Sequence, residues 1–449
     1  MQKKYFYLGL ILFFLITYLS PGKVIYFSAY LVSTFFFYLA TKKITESLIY
    51  SLILSLFFDS SIGASLFAMQ PPEWNLGSGY AITPTTLILL SLIPFSFNKT
   101  FSKLKAPDII IAIFYCISVF NVFLFPYPNS FFGLIGISEF VLLYYILRIH
   151  VKIEQFDFIK IILLSLLCFQ ITIATIQIVR GTSAGFLAES SNLERPYGYT
   201  ASEDVNIFRV PGTFGHPNFL ASFLLLGVSF VLFSSPSSIL YLGLGALDLV
   251  VLIFTSSRAA WFIFMLIIAF WIWYQLKILK KSDKIRTTLT IFILIIVLLI
   301  PFIITRLNTL PQAFDPNGSV DVRYQLNNEA INIISKNPIT GVGLNRAIEF
   351  YSNFFSPDAL LSIIDGSFYK IHNTILEIST EIGVFGGIIF LAFFFTIFKT
   401  GLKYIHEKNN FKIAATMGLF GVFCISLFNP FFHTPQMRYL FLLSAMILA

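Results

Sequence analysis

The sequence predicts an all-α integral membrane protein, a polytopic helical bundle of about 12 to 14 transmembrane helices with a long outer loop. Composition is the first observation, because 57% of the 449 residues are hydrophobic and only 12% are charged, unlike soluble proteins. Second, apolar runs long enough to cross roughly 30 Å of hydrocarbon recur along the chain. Third, the basic residues fall in alternate loops. We therefore treat residues 1–449 as one polytopic membrane domain.

About fourteen apolar runs are candidate spans. They start near Tyr5, Val24, Glu46, Thr85, Pro107, Phe131, Phe156, Asn218, Ser238, Arg258, Thr288, Asn373, Phe411 and Gln436. If the N-terminus is cytoplasmic, the loops on that side carry stretches such as "NKTFSKLK" and "KILKKSDKIR", whereas the opposite short loops hold almost no lysine or arginine. The positive-inside rule gives this orientation. It also accounts for the formal charge of +8, so we expect a lipid bilayer and no nucleic acid as partner.

Two long hydrophilic segments fall on the outer face in this topology, residues 180–217 and residues 305–371. Loops of this length are usually functional or disordered. In "VRYQLNNEAINIISK", Leu326, Ala330, Ile331 and Ile334 recur at helical spacing, which predicts an amphipathic helix lying on a surface. The following "NPITGVGLN" predicts a turn that reverses the chain. An inert surface helix is the alternative interpretation.

Four polar residues are predicted to gather at the outer rim. Arg209 lies in "FRVPGTFGHPN", Arg258 in "TSSRAAWF", Arg323 opens the amphipathic helix, and His372 precedes a predicted span. Arginine binds phosphate oxygens in pairs, and histidine can remove a proton from a hydroxyl at neutral pH. Asn373 is positioned to cap the helix that follows His372. The set suits a phosphate-rich substrate and an attacking hydroxyl.

Plainer interpretations exist for several of these side chains. A lone arginine at a helix end commonly extends toward lipid headgroups. His216 precedes a proline in "GHPN", which is typical of a turn residue. His433 and Arg438 in "FFHTPQMRY" are predicted to anchor the membrane interface.

Acidic residues within apolar runs mark either an ion path or a structural pair. Asp59, Glu139 and Asp248 are the candidates, and Lys160 is a conceivable partner. The sequence contains no Walker loop, dinucleotide fingerprint or His-Glu-x-x-His motif. The outer loop around Glu73 has no acidic pair for a divalent ion. We expect neither a cofactor nor a metal site.

The ordered set "RVPGTFGHPNFLA", "TSSRAAWF", "NPITGVGLN" and "HNTILEISTEIGVFGG" resembles the O-antigen ligase/polymerase superfamily, which includes O-antigen ligases, Wzy-type polymerases and O-oligosaccharyltransferases. The resemblance implies a metal-independent membrane glycosyltransferase of the bacterial inner (cytoplasmic) membrane. Such an enzyme transfers a glycan from an undecaprenyl-diphosphate carrier to a glycolipid or glycan acceptor at the periplasmic face. The two outer loops would then be periplasmic.

The resemblance also implies roles for particular residues. Arg209 and Arg258 would bind the diphosphate and His372 would act as general base, with inversion at the anomeric carbon. Arg323 is a further candidate for the diphosphate, and Glu381 occupies a recurrent acidic position with a structural or orienting role. Together with Asn373 and His216, they are our substrate-binding candidates.

Three activities of this superfamily stay open, namely ligation of O-antigen, polymerisation of repeat units and transfer to protein. A flippase or transporter for lipid-linked oligosaccharide is the alternative from another class, and would need ionisable residues along a central cavity. A cell-wall polymerase of the shape-and-division type would depend on an aspartate such as Asp315 or Asp321.

Overall fold

The computed structural model describes residues 2–20, 22–58, 67–69, 79–97, 104–185, 209–234, 239–279, 282–315, 319–351 and 370–449. Within these ranges the chain is almost entirely helical, which confirms the predicted all-α class. One short antiparallel pair of strands, β1 (Phe67–Met69) and β2 (Tyr80–Ile82), is the exception within the described residues. Asp59, Glu73, most of the first outer loop and residues 352–369 of the second lie outside the described residues.

Seventeen α-helices occur in the described ranges, numbered here in chain order. They are α1 (Lys3–Leu19), α2 (Lys23–Thr41), α3 (Ile44–Ser55), α4 (Pro84–Leu92), α5 (Ala106–Leu124), α6 (Pro128–His150), α7 (Phe156–Arg180), α8 (Pro217–Ser234), α9 (Ile239–Phe254), α10 (Arg258–Tyr274), α11 (Ser282–Leu298), α12 (Ile300–Asn308), α13 (Ser319–Lys336), α14 (Thr374–Ile382), α15 (Val384–Glu407), α16 (Asn410–Ser426) and α17 (Met437–Leu448).

Six of these helices are long and apolar enough to cross a membrane, namely α2, α5, α6, α7, α10 and α15. Helices α11 and α12 pass the same test as a pair that is bent by 61°. Five shorter apolar helices, α3, α8, α9, α16 and α17, have 10 to 17 residues in their apolar parts. The polytopic helical fold is therefore confirmed. The spans predicted to start near Glu46 and Thr85 correspond to α3 and α4, which have only 12 and 9 residues.

The short helices α16 and α17 form the centre of the bundle. All twelve residues of α17 are buried, and α16 packs against α8, α10, α15 and α17. Glycines on α16 allow close packing, because a Cβ at Gly421 would lie 3.2 Å from the Leu225 Cβ of α8. A helix surrounded by other helices does not need the length of a lipid-facing span.

The predicted amphipathic helix exists as α13, but its buried face differs slightly from the predicted one. Leu326 and Ala330 are fully buried and Ile333 is nearly so, whereas Ile331 is 55% exposed. The predicted stripe is wrong at Ile331, which lies one position beyond Ala330 and so on another side of the helix. The buried face packs against α14.

The Gly-x-Gly segment forms the predicted turn and binds the end of α14. The backbone N–H of Val342 donates to the Thr380 carbonyl (3.0 Å), and that of Gly343 donates to the Glu381 carbonyl (2.9 Å). Asn121 of α5 fastens the same segment, since its Nδ2 donates to the Thr340 carbonyl (2.8 Å). These contacts keep two distant stretches of sequence together.

The span predicted to start at Asn373 is interrupted. Helix α14 ends at Ile382, Gly383 has a φ of 84°, and the helix that qualifies as a span begins at Val384. His372 therefore precedes a short, separate helix rather than the span itself.

Replacing Gly341 with alanine is expected to destabilise the protein. Gly341 has a φ of 63°, and an added Cβ would lie 2.4 Å from the backbone carbonyl of Glu381. Gly181 is a matched control, because its φ is 66° with no atom within 4 Å of an added Cβ. We expect the alanine substitution to lower the free energy of unfolding by about 3 kcal/mol at Gly341 and by about 1 kcal/mol at Gly181. Thermal unfolding in detergent measures both, and equal losses would contradict the packing argument.

Candidate functional site

Four arginines and two histidines gather at one site, which we call the arginine–histidine cluster. Its members are Arg209, His216, Arg258, Arg306, Arg323 and His372. Burial, followed by the positive charges of Arg306, Arg323 and Arg258, lowers the pKa of Arg209 to about 9. The structure thus brings together the four polar residues predicted for the outer rim and adds Arg306 and His216.

The turn between α9 and α10 holds two of the arginines. Ser256 is buried with a φ of 53°, a left-handed conformation that turns the chain sharply. The Thr255 carbonyl accepts a hydrogen bond from Arg209 Nε (3.0 Å), and the Ser256 carbonyl accepts one from Arg306 Nε (3.2 Å). Arg258 follows as the first residue of α10. The "TSSR" motif is therefore a compact turn that collects arginine side chains.

Arg306 was missed in the sequence because it follows a predicted span and belongs to no recognised motif. It is 6% exposed on α12. Arg306 Nη1 and Arg258 Nη2 each donate a hydrogen bond of 3.2 Å to the hydroxyl of Thr309. The bend between α11 and α12 brings Arg306 back over the turn. In the sequence, only its position at the end of an apolar run indicates that Arg306 could lie at the membrane boundary with the other arginines.

Three of the four arginines in the cluster have no carboxylate partner among the described residues. Within the described residues, Arg209, Arg258 and Arg306 form no ion pair with aspartate or glutamate. The Nε of Arg258 is buried and has no hydrogen-bond partner there. Unpaired buried cations and unsatisfied donors are costly unless a ligand completes them. The arrangement suits an anion with several oxygens, such as a diphosphate.

Two glutamines of α7 fix the loop that carries Arg209. Gln177 donates to the Gly212 carbonyl and accepts from the Gly212 N–H, both at 2.9 Å. Gln170 donates to the Thr213 hydroxyl at 2.6 Å. Gly212 needs its φ of 58° and leaves room for Gln170. These glutamines lie in an apolar helix outside the motifs that carry the resemblance, so no sequence pattern selects them.

The two histidines have opposite tautomers. Nδ1 of His372 donates to the Lys370 carbonyl at 2.8 Å, so in the neutral ring the lone pair belongs to Nε2. Nδ1 of His216 instead accepts from the Asn218 N–H at 3.1 Å, which places the ring proton on Nε2. Burial and the charge of Arg323 lower the pKa of His372 to about 4. Burial, with the charge of Arg209, lowers the pKa of His216 to about 3.

Asn373 caps α14 as predicted. Its side-chain oxygen accepts from the N–H groups of Ile375 (3.0 Å) and Leu376 (3.1 Å). This cap fixes the chain direction immediately after His372. His216, predicted as a turn residue, does lie in the turn before α8 and also belongs to the cluster.

Asn429 connects the two loops that bear the histidines. Its Oδ1 accepts from Asn218 Nδ2 at 2.7 Å, and its carbonyl accepts from the Thr374 hydroxyl at 3.2 Å. Asn218 also accepts from Arg209 Nη2 at 3.0 Å. Asn429 was not selected from the sequence, because an isolated "FNP" gives no indication of long-range contacts.

Glu381 does not hydrogen-bond to the cluster. Its Oε2 accepts from the Asn345 N–H (2.7 Å) and pairs with His433 Nε2 (2.6 Å). The prediction that His433 and Arg438 anchor the membrane interface is wrong. Both side chains are buried in pairs, His433 with Glu381 and Arg438 with Glu139 at 2.7 Å.

The remaining intramembrane acids form no ion path with Lys160 in the described structure. Lys160 pairs with Asp157 at 3.1 Å, so it is not the predicted partner of an intramembrane acid. Asp248 is fully buried, and neither of its oxygens has a hydrogen-bond partner within the described ranges. Asp321 accepts from Gln325 on its own helix. Among described residues, no group of three or more histidine, cysteine or acidic side chains could hold a metal ion.

Fold and site define a polytopic membrane protein with a buried cationic site beside a neutral imidazole. Residues 243–391, about a third of the chain, match the family model described as O-Antigen ligase. The match confirms the resemblance to the O-antigen ligase/polymerase superfamily and indicates a glycosyltransferase-type membrane enzyme. It includes Arg258, Arg306, Arg323 and His372, whereas Arg209 and His216 precede it. No curated protein matches the chain.

Proposed function

We propose that this protein transfers a glycan from an undecaprenyl-diphosphate carrier to a glycolipid or glycan acceptor. The observation that carries the proposal is the gathering of Arg209, Arg258 and Arg306, none of them ion-paired with a described carboxylate, beside His372, whose Nδ1–H donates to the Lys370 carbonyl. The described hydrogen-bond partners of Arg209, Arg258 and Arg306 are neutral oxygens, and a diphosphate would add negatively charged ones. The family match supports an O-antigen ligase or polymerase type of transfer.

The proposed reaction is a direct displacement. Nε2 of His372 removes the proton from the acceptor hydroxyl, and the oxygen attacks the anomeric carbon of the carrier-linked sugar. The bond from that carbon to the diphosphate oxygen breaks, and its electron pair stays on the diphosphate. Arg209, Arg258 and Arg306 stabilise the charge that develops there. A single displacement inverts the anomeric configuration, and no metal ion takes part.

We place the reaction at the periplasmic face of the bacterial inner membrane. The distribution of lysine and arginine among the short loops supports this orientation. The donor would enter from the bilayer, and the acceptor would reach His372 from the aqueous side.

Proteoliposomes test the function directly. Purified protein is reconstituted with a diphosphate-linked oligosaccharide donor and a glycolipid acceptor, with EDTA present, and the glycosylated acceptor is measured by mass spectrometry. We expect transfer that EDTA does not reduce. A requirement for added Mg²⁺ would contradict the metal-free mechanism. Movement of the donor between leaflets without any transfer would favour the flippase.

The pH dependence of transfer provides a further prediction. The active base is neutral His372, so a lowered pKa extends the active range toward acid. We expect kcat/KM to fall only as the pH approaches about 4, rather than near the ordinary histidine value of about 6.5. Arg323→Gln removes a positive charge and should move this acid limb to higher pH. A limb near pH 6.5 in the unmodified protein would contradict the assignment.

A further inference from the structure

His216 is the member of the arginine–histidine cluster to which the proposed reaction assigns no task. Its Nδ1 accepts a hydrogen bond from the Asn218 N–H at 3.1 Å, so the neutral ring carries its proton on Nε2. No described residue accepts a hydrogen bond from that Nε2–H. Because His216 is partly exposed, a ligand can reach the ring. His216 thus offers the site a hydrogen-bond donor.

Asn218 holds both His216 and Arg209 in place. Its backbone N–H binds the His216 ring, and its side-chain Oδ1 accepts from Arg209 Nη2 at 3.0 Å. The Nδ2 of the same amide donates to Asn429 Oδ1 at 2.7 Å, and Asn429 Nδ2 donates to the Ile425 carbonyl at 2.9 Å. Each amide therefore has its orientation set by the next one. The His216 ring and the Arg209 guanidinium are held in a fixed relation to each other.

A neutral imidazole is the form of His216 that suits these surroundings. Burial comes first and the charge of Arg209 second among the causes that lower the pKa of His216 to about 3, and His372 and Arg323 follow. A second proton on the ring would add positive charge beside Arg209. The ring therefore stays neutral at physiological pH and supplies a donor without adding charge. A neutral imidazole can polarise a substrate oxygen through such a donor.

The position of His216 favours the diphosphate over the acceptor as its ligand. Arg209 is the nearby charge with the largest effect on His216, and Asn218 joins the two side chains. In the proposed reaction Arg209 binds the diphosphate, whereas the acceptor hydroxyl lies at His372. The oxygens of an ionised diphosphate accept hydrogen bonds, and this matches the Nε2–H of His216.

We propose that His216 is a catalytic residue that donates a hydrogen bond from Nε2 to the departing diphosphate. As the bond from the sugar to the diphosphate breaks, negative charge grows on the diphosphate oxygens and strengthens this hydrogen bond. His216 keeps its proton throughout, so it acts neither as general acid nor as general base. Its catalytic role rests on the proposed function, whereas binding of a diphosphate by His216 does not.

Calorimetric titration of the full-length protein in detergent with inorganic pyrophosphate, with EDTA present, tests the contact. We expect His216→Ala to weaken pyrophosphate binding about tenfold, because a hydrogen bond to a charged oxygen is lost. His216→Gln retains an N–H donor and should recover part of the affinity. His406→Ala is the matched control, since His406 is exposed near the end of α15. Equal affinity in the folded alanine variant of His216, or no binding to the unmodified protein, would overturn the proposal.

Nitrogen NMR on histidine-labelled protein tests the tautomer, which a purely structural contact would leave untouched by ligand. The signals of His216 are those that disappear in His216→Ala. At about pH 5.5, where an ordinary histidine is mostly protonated, we expect a neutral ring with its proton on Nε2. Saturating pyrophosphate should shift the Nε2 resonance. A doubly protonated ring at this pH, or an Nε2 resonance that does not shift, would contradict the assignment.

Transfer kinetics separate this contact from the proposed function. In the proteoliposome assay, His216→Ala should lower kcat/KM for the donor about 10²-fold and leave the KM for the acceptor unchanged. Unchanged donor kinetics in the folded variant, or a rise in acceptor KM alone, would overturn the role of His216 while the proposed function stands. If no transfer occurs while pyrophosphate binding still depends on His216, the proposed function fails and the diphosphate contact stands.

Discussion

Replacing His372 with alanine is expected to lower kcat for glycan transfer by about 10²–10⁴-fold. The imidazole is held by the Lys370 carbonyl in the tautomer with a basic Nε2, and no other side chain in the cluster has this combination. His216 has the opposite tautomer, so it cannot replace the lost base without rotating its ring. The measurement is steady-state transfer in proteoliposomes, with donor and acceptor both at saturating concentration.

His406→Ala is the control for this prediction. His406 is exposed near the end of α15, and its loss should leave kcat unchanged. His372→Gln tests whether hydrogen bonding alone is sufficient, and we expect it to be as impaired as the alanine variant. Retention of more than about a tenth of kcat in folded His372→Ala would exclude His372 as general base.

Replacing Arg258 or Arg306 with alanine is expected to reduce kcat/KM for transfer by about 10²–10³-fold. Both guanidinium groups donate to the Thr309 hydroxyl. Each variant therefore removes one of the two donors to Thr309 and leaves the other arginine in place. The effect should appear in the donor parameters, because these groups are proposed to bind the diphosphate. Lysine at position 258 should recover only part of the loss, since it lacks a planar fork.

Arg286→Ala serves as the charge-matched control, because Arg286 is exposed at the start of α11 and belongs to no part of the site. Equal donor KM and kcat in Arg258→Ala and the unmodified protein would contradict diphosphate binding by the cluster. A loss of thermal stability in Arg306→Ala would instead indicate a structural role, since Arg306 bonds to the Ser256 carbonyl.

Local sequence patterns predicted the helical class and the turn at Gly341 to Gly343 because hydropathy and glycine placement act over a few residues. The same patterns overestimated the length of some spans, such as the one predicted to start at Asn373, which is interrupted at Gly383. The break at Gly383 is tied to a backbone contact between Val384 and Pro338, which are distant in sequence. Hydropathy also treats the buried helices α16 and α17 like lipid-facing spans, since it does not record what surrounds them.

The site was predictable where chemistry resides in a short motif. Arg209, Arg258, Arg323 and His372 each lie beside a turn or helix start that the sequence shows. Arg306 required the bend between α11 and α12. The tautomer of His372 depends on where the Lys370 carbonyl points, and no residue pattern encodes that direction.

Asn429 joins the two loops that bear His216 and His372, and this bears on how the site responds to bilayers of different thickness. Asn429 is buried between α16 and α17 and contacts Asn218 on one side and Thr374 on the other. Spans tilt when hydrocarbon thickness changes. Because both histidine loops are fastened to Asn429, we expect them to move together when the central helices tilt. The distance between His216 and His372 should then change little with bilayer thickness.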